Sequence, residues 1–98
     1  MPSIVTSTAA QELFPRSRLR KSFIVFNEDT TDAVFLKRER AATPSVSATD
    51  HDIRIGPGGF WGTSWTVDGI EMIQDRFSII AAANTPRVCW FETEDVVR

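Results

Sequence analysis

Residues 22–37 read SFIVFNEDTTDAVFLK, and this stretch carries the clearest structural pattern in the chain. Two short apolar runs, rich in β-branched and aromatic residues, flank the polar segment 27–32. Such runs are typical of β-strands, because they are too short for a helix of ordinary length. The pattern therefore predicts two strands, and the short polar break between them predicts a hairpin.

Similar strand-like runs recur through the rest of the chain. They are residues 53–55, 60–67, 77–83 and 87–92, whereas residues 70–74 are ambiguous. The segment Gly56-Pro57-Gly58-Gly59 predicts a type II turn, because proline suits its first corner and glycine accepts positive φ at its second.

Six or so short strands, separated by regular turns, predict an all-β fold. We expect a small antiparallel β-sandwich, Ig-like or jelly-roll-like. The predicted core comprises Phe23, Val25, Val34, Leu36, Ile53, Ile55, Trp65, Phe77, Ile79, Val88 and Trp90.

The length of 98 residues suits a single domain. Residues 1–17 lack a clean period and are predicted to be an extended N-terminal arm, with the sandwich occupying residues 18–98. The arm is either a frayed terminus or a segment that orders against a neighbouring subunit. Its anchors would be Ile4, Val5, Leu13 and Phe14.

Charge and cysteine content argue against several classes of protein. There are 11 basic and 13 acidic residues, and the net charge of −2 disfavours a nucleic-acid partner. The lone Cys89 cannot form an intramolecular disulfide and fits synthesis in a reducing cytoplasm. The N-terminus lacks the pattern of a signal peptide, and the longest apolar stretch, residues 79–83, is far too short for a membrane span.

No group of residues has the pattern of a catalytic or metal site. His51 lies between two aspartates but lacks the further ligands or nucleophile that such a site needs, so a polar loop is the preferred interpretation. The glycine-rich segment 56–59 lacks the Lys-Ser/Thr of a phosphate loop. Cys89 lies in an apolar strand and is predicted to pack in the interior. We therefore predict a non-enzymatic protein without a cofactor or metal.

Two further groups of residues leave alternatives open. The three tryptophans are core fillers, subunit-interface anchors or a platform for sugars. The basic residues form either a solvated edge or a patch that faces an acidic partner. The tryptophans are Trp61, Trp65 and Trp90, and the basic residues are Arg16, Arg18, Arg20, Lys21, Lys37, Arg38 and Arg40.

The order of elements forms a distinctive layout. A basic lead-in at 18–21 enters a strand that ends in Asn27, and a second strand follows at 33–36. A polar loop then leads to the Pro-Gly turn, and the final strand ends in Glu92. This layout resembles that of small structural proteins of bacteriophage particles, which are β-sandwiches of the head decoration (cement) or connector type.

The resemblance implies a virion protein, made in the host cytoplasm, that stabilises the phage head by bridging capsid subunits. Its partners would be the major capsid protein or other virion proteins, and a trimer is the first expectation for its own assembly. Alternatives are a neck or tail connector and a glycan-binding host-attachment module. The expected interface residues are Ile4, Val5, Leu13, Phe14, Arg18, Arg20 and Trp61.

Overall fold

Eight strands form two four-stranded antiparallel sheets, which confirms the predicted all-β sandwich. The computed structural model describes residues 2–40 and 43–94, except for the side chains of four residues in the helical segment: Trp65, Asp68, Ile70 and Glu71. In chain order the elements are β1 (Ser3–Val5), β2 (Gln11–Phe14), β3 (Arg20–Asn27), β4 (Val34–Glu39), β5 (Ile53–Ile55), β6 (Phe60–Ser64), α1 (Trp65–Asp68), α2 (Ile70–Gln74), β7 (Arg76–Ala81) and β8 (Arg87–Glu94).

The strand order is that of a jelly roll. Sheet I has the order β1-β8-β3-β6 and sheet II the order β2-β7-β4-β5. Every connection passes from one sheet to the other except the one between β4 and β5. Jelly rolls combine two Greek keys in this way, whereas an Ig-like sandwich joins several consecutive strands within one sheet. The topology therefore selects the second of the two predicted architectures.

The predicted hairpin between β3 and β4 is wrong, because these strands lie in different sheets. The turn between them is organised by Asn27, which is almost fully buried at the end of β3. Its amide nitrogen donates to the carbonyl oxygens of Asp32, Ile55 and Gly56, at 2.8, 3.2 and 3.1 Å. Asn27 thus joins two turns that cross between the sheets, and the chain arches over the core instead of folding back.

The second of these turns is the predicted type II turn. Gly58 has φ of 69°, and the N–H of Gly59 donates to the carbonyl oxygen of Gly56 at 3.0 Å. The N–H of Gly58 also donates to the carbonyl oxygen of Asp29 in the neighbouring turn. The Pro-Gly pattern therefore predicts the local geometry correctly, and the turn serves to carry the chain from β5 in sheet II to β6 in sheet I.

The core between the sheets agrees closely with the predicted set. All its members except Trp65, whose side chain lies outside the description, are buried or packed against the buried cluster. Three further residues belong to it: Leu13, Phe14 and Ile73. The Phe14 ring lies 5.0 Å from that of Phe23 and 5.4 Å from that of Phe77, measured between centroids.

The segment predicted as an arm contributes β1 and β2, one strand to each sheet. It does not extend from the domain, because Leu13 and Phe14 fill the space between the sheets. Residues 60–67 also differ from the single strand predicted, since β6 ends at Ser64 and two short helices follow. Ile73 in α2 is fully buried, so the helices close one end of the sandwich while the chain changes sheets.

Candidate interaction surface

The centre of the outer face of sheet I is apolar. Side chains alternate between the two faces of a strand, and Phe23 and Val25 of β3 are buried in the core, so Ile24 and Phe26 point outward. The register carries this alternation across the sheet. We call the apolar members of this outer face the sheet I face: Val5, Ile24, Phe26, Phe60, Cys89 and Phe91. The register places polar residues around them on the same side: Ser3, Ser22, Ser64, Arg87 and Thr93.

Three members of the sheet I face are strongly exposed. Phe60 is 67% exposed, Phe91 51% and Val5 50%. Phe26 and Phe60 lie opposite each other on neighbouring strands, and their ring centroids are 6.0 Å apart. Apolar patches on a protein surface are candidate sites for partner binding, and this makes the sheet I face the candidate interaction surface.

Gly62 makes the sheet I face flat beside Phe60. It lies opposite Ile24, and a Cβ atom at this position would be 2.9 Å from the Cβ of Ile24 and 2.8 Å from the carbonyl oxygen of Phe23. Real Cβ atoms essentially never approach other heavy atoms this closely. Position 62 therefore requires glycine, for packing between β3 and β6.

The outer face of sheet II is covered by the chain itself. Phe35 lies on this face, and its ring centroid is 4.4 Å from that of His51 in the connection between β4 and β5. Val46 in the same connection is buried. Lys37 in β4 forms an ion pair with Asp50 at 2.6 Å. The described part of this connection, residues 43–52, thus covers the outer face of sheet II along β4.

Glu39 shows that the polar groups on this covered face bond to one another. Its buried carboxylate accepts hydrogen bonds from the backbone N–H and hydroxyl of Ser45 and from the hydroxyl of Ser78 at 2.8 Å. Burial raises the pKa of Glu39, but these hydrogen bonds and the charge of Lys37 outweigh it and hold the pKa below its ordinary value. The group is therefore a structural anchor for the connection.

A shallow cavity of about 340 Å³ opens beside the sheet I face. It is lined by Phe26, Asn27, Glu28, Gly58, Gly59 and Cys89. Burial raises the pKa of the Cys89 thiol, and the nearby Glu28 carboxylate raises it further. The thiol is therefore protonated at neutral pH, and a protonated thiol is a poor nucleophile. The predicted burial of Cys89 is confirmed.

A second cavity, of about 360 Å³, lies on the side of the sandwich where β5 and β6 form the edges. Its lining is Arg38, Asp52, Ile53, Trp61, Met72 and Phe77. Trp61 is half-buried, with its ring edge-on to that of Phe23 at 5.3 Å between centroids. Arg38 already forms an ion pair with Asp75. This second cavity, which we call the cleft, combines the half-buried indole of Trp61 with the side chains of Arg38 and Asp52, which bond to other groups of the protein.

The seven predicted interface residues divide into exposed and buried groups. Arg18 is exposed, and Val5 belongs to the sheet I face. Trp61 is half-buried in the cleft. The structure buries the others, Leu13, Phe14 and Arg20, and packs Ile4 against the core. These four side chains are not available to a partner, because they hold the two sheets together.

Arg20 is the most heavily bonded of the predicted interface residues. Its guanidinium forms an ion pair with Glu92 at 2.9 Å and donates to the carbonyl oxygens of Ile73, Asp75 and Pro15. It also lies 4.3 Å from the centroid of the Phe14 ring. These contacts join β3, β8, α2 and the end of β2, so Arg20 is a structural residue of the closed end.

The aspartates that flank His51 are each bonded to β4. Asp50 pairs with Lys37, and the Asp52 carboxylate accepts the backbone N–H of Arg38 at 2.8 Å. Nδ1 of His51 lies 3.1 Å from the carbonyl oxygen of Ser47. Among residues 2–40 and 43–94, no three His, Cys, Asp or Glu side chains are grouped as metal ligands would be.

Alternation of apolar and polar residues does not reveal the sheet I face. Phe26 and Phe91 each stand in a continuous apolar run, residues 23–26 and 88–91. A continuous run places apolar side chains on both faces of a strand, and this was the available clue to an apolar outer surface.

No helix in the described part of the chain is long and apolar enough to span a membrane. Comparison of the chain with protein-family models, with curated proteins and with solved structures found no match.

Proposed function

We propose that this protein is a non-enzymatic structural protein of a bacteriophage particle, and that it decorates the head by docking the sheet I face onto the shell. The observation that carries the proposal is the contrast between the two outer faces. The sheet I face leaves Phe60 and Phe91 exposed, whereas the chain covers the equivalent face of sheet II. The layout resemblance to small virion proteins and the jelly-roll topology, which also occurs in viral capsid domains, support the same class of function.

A single copy would bind weakly, and this suits a coat of many copies. The exposed parts of Phe60 and Phe91 amount to about 240 Å² if each side chain presents about 200 Å² when free. At about 25 cal/mol per Å² this area contributes about 6 kcal/mol. Association costs at least about 4 kcal/mol before any other term. Binding to the shell would therefore gain most of its strength from neighbouring copies acting together.

The test is co-sedimentation of the purified protein with mature and immature heads from the same source. We expect saturable binding to mature heads and a marked loss of binding in Phe91→Ser, because the change removes an exposed ring from the sheet I face. Val67→Ser is the matched control, since Val67 is 74% exposed but lies in α1, outside both sheets. Absence of binding by the wild-type protein to either kind of head would refute the proposal. Equal binding by Phe91→Ser, with its fold intact by circular dichroism, would refute the role of this face.

The cleft favours a glycan-binding role as the second candidate function. Sugars commonly stack on accessible aromatic rings, and Trp61 lies there beside the charged Arg38 and Asp52. Titration with a panel of sugars should then change the tryptophan fluorescence of the wild-type protein and leave that of Trp61→Phe unchanged. No response to any sugar would remove this candidate.

A further inference from the structure

The edge strands of the two sheets differ in how they are protected against pairing with another chain. Natural proteins protect edges by shortness, charge, proline or irregular register. At three edges such protection is present: β1 and β5 have three residues each, β5 carries Arg54, and β2 carries Glu12 and a break in register. β6 is five residues long, has the sequence FWGTS, and pairs with β3 in unbroken register.

The hydrogen-bond pattern identifies the backbone groups at this edge. Asn27 N–H donates to the carbonyl oxygen of Gly59, directly opposite it, at 2.9 Å. Because bonded and non-bonded pairs alternate in an antiparallel ladder, the odd-numbered residues of β6 bond to β3. The N–H and C=O groups of Phe60 and Gly62, and the N–H of Ser64, therefore point away from β3, toward the edge of the sheet. The C=O of Ser64 accepts the first hydrogen bond of α1.

The other side of β3 agrees with this assignment. Glu28 N–H donates to the carbonyl oxygen of Arg87 at 3.0 Å, so the even-numbered residues of β3 bond to β8. The close approach at Gly62 agrees as well, because residues in a non-bonded pair lie nearer to each other than those in a bonded pair.

We infer that β6 is a self-association edge, which pairs antiparallel with β6 of a second copy about a two-fold axis at Gly62. In this register Gly62 lies opposite Gly62 of the second copy, and Phe60 lies opposite Ser64 of the second copy. The two copies of Gly62 exchange two backbone hydrogen bonds, and the N–H of each Ser64 donates to the carbonyl oxygen of Phe60 in the other copy. The two copies of sheet I become one continuous sheet, and their sheet I faces lie on the same side of it.

The occupant is a second copy because this edge is complementary to itself. β6 carries no charged residue, so two copies meet at this strand without repulsion between like charges. Phe60 of one copy lies diagonally beside Gly62 of the other, and a ring can cover the backbone at a glycine that has no side chain. A two-fold axis makes the same contact twice.

The area available predicts a weak dimer. Each strand is about 17 Å long at about 3.4 Å per residue, and Phe60 adds about 130 Å² of exposed ring. The area buried by one such strand and one ring is well below the roughly 800 Å² per partner of a standard stable interface. We expect a dissociation constant of roughly 10–500 µM. The inferred two-fold pairing differs from the trimer that the resemblance implies, and the inference does not rest on the proposed function.

The first test is sedimentation equilibrium of the full chain from about 10 µM to 1 mM, in the absence of phage heads. The double variants Phe60→Lys/Ser64→Glu and Phe60→Lys/Ser64→Lys form a matched pair. In the proposed register residue 60 faces residue 64 of the other copy, so the first variant places opposite charges together and the second places like charges together. We expect the first to dimerise at least about tenfold more tightly than the second at low salt, with both folded by circular dichroism.

The second test uses the wild-type protein, and so does not depend on the folding of a variant. Amide hydrogen exchange should slow with increasing concentration at Gly62 and Ser64, whose N–H groups donate to the second copy. Exchange at Trp61, whose N–H faces β3, should change little. A monomer at all concentrations, a trimer, equal dissociation constants for the two double variants, or uniform exchange along β6 would each overturn the inference.

Discussion

Replacement of Asn27 tests whether one side chain holds the two sheet-crossing turns together. In Asn27→Ala the carbonyl oxygen of Ile55 loses the Asn27 donor in a buried position, and that of Asp32 loses it at a partly buried one. The carbonyl oxygen of Gly56 also loses this donor but keeps the N–H of Gly59. An unsatisfied buried group costs about 1–3 kcal/mol, and a hydrogen bond at a partly hydrated site about 1 kcal/mol. We therefore expect a loss of about 3 kcal/mol, which lowers the melting temperature of a domain of this size by about 12–24 °C.

Asn27→Asp sharpens the test, because it keeps the shape of the side chain and removes its donor. At pH 7 a carboxylate oxygen would face three carbonyl oxygens, so this variant should be less stable than Asn27→Ala. The environment would raise the carboxyl pKa in the folded state, and a raised pKa makes the penalty grow as pH rises. The deficit relative to Asn27→Ala should therefore shrink at about pH 4, where a protonated carboxyl can donate.

The assay is urea unfolding at 25 °C, followed by tryptophan fluorescence and far-ultraviolet circular dichroism. Asn84→Asp is the matched control, since Asn84 also donates to an oxygen of Asp32 but at an exposed site, and we expect it to change stability by less than about 1 kcal/mol. A loss of under about 1 kcal/mol in Asn27→Ala, or wild-type stability of Asn27→Asp at pH 7, would show that the turns do not depend on this amide.

Three further changes probe the closed end and the covered face. Deletion of residues 2–15 removes β1, β2 and the Phe14 ring, so circular dichroism should show an unfolded chain. A folded deletion variant would contradict the structural role of these strands. Phe14→Ala alone should lower the free energy of unfolding in urea by about 3–5 kcal/mol. Arg20→Lys should cost about 2–3 kcal/mol because an ammonium cannot reach Glu92 and three carbonyl oxygens together, and a neutral result in the same assay would argue against that network. The pKa of Glu39 is lowered in the folded state, so its contribution to stability is present above the pKa of the unfolded state and is lost as pH falls through the folded pKa. The free energy of unfolding should therefore fall less between pH 7 and pH 3 in Glu39→Gln than in the wild-type protein. Equal falls would exclude this carboxylate as the cause.

The strands and most of the core follow from local sequence. Runs such as residues 23–26 and 88–91 are rich in β-branched and aromatic residues, and they lie in β3 and β8 as expected. The Pro-Gly turn also follows, because positive φ at Gly58 is a property of that residue and its neighbours.

The pairing of the strands depends on residues far apart in the chain. A short polar break between two strands is compatible with a hairpin and with an arch between sheets. The choice rests on the amide of Asn27, which bonds to Ile55 and Gly56 almost thirty positions later. Phe14 likewise belongs to the core because its ring packs against those of Phe23 and Phe77. The local sequence of residues 1–17 does not predict these contacts.

The apolar surface shows the same division. The sequence shows that β3 and β8 carry apolar residues on both faces. It does not show which of the two faces sheet II will cover. The packing of the sheets decides which face is covered, because sheet II packs on one side of sheet I. The connection within residues 43–52 in turn covers β4 on the outer side of sheet II. Local composition thus determines which elements form, since backbone preference acts over a few residues. Their assignment to sheets, and the exposure of Phe60 and Phe91, come from contacts that exist only after the two sheets have packed.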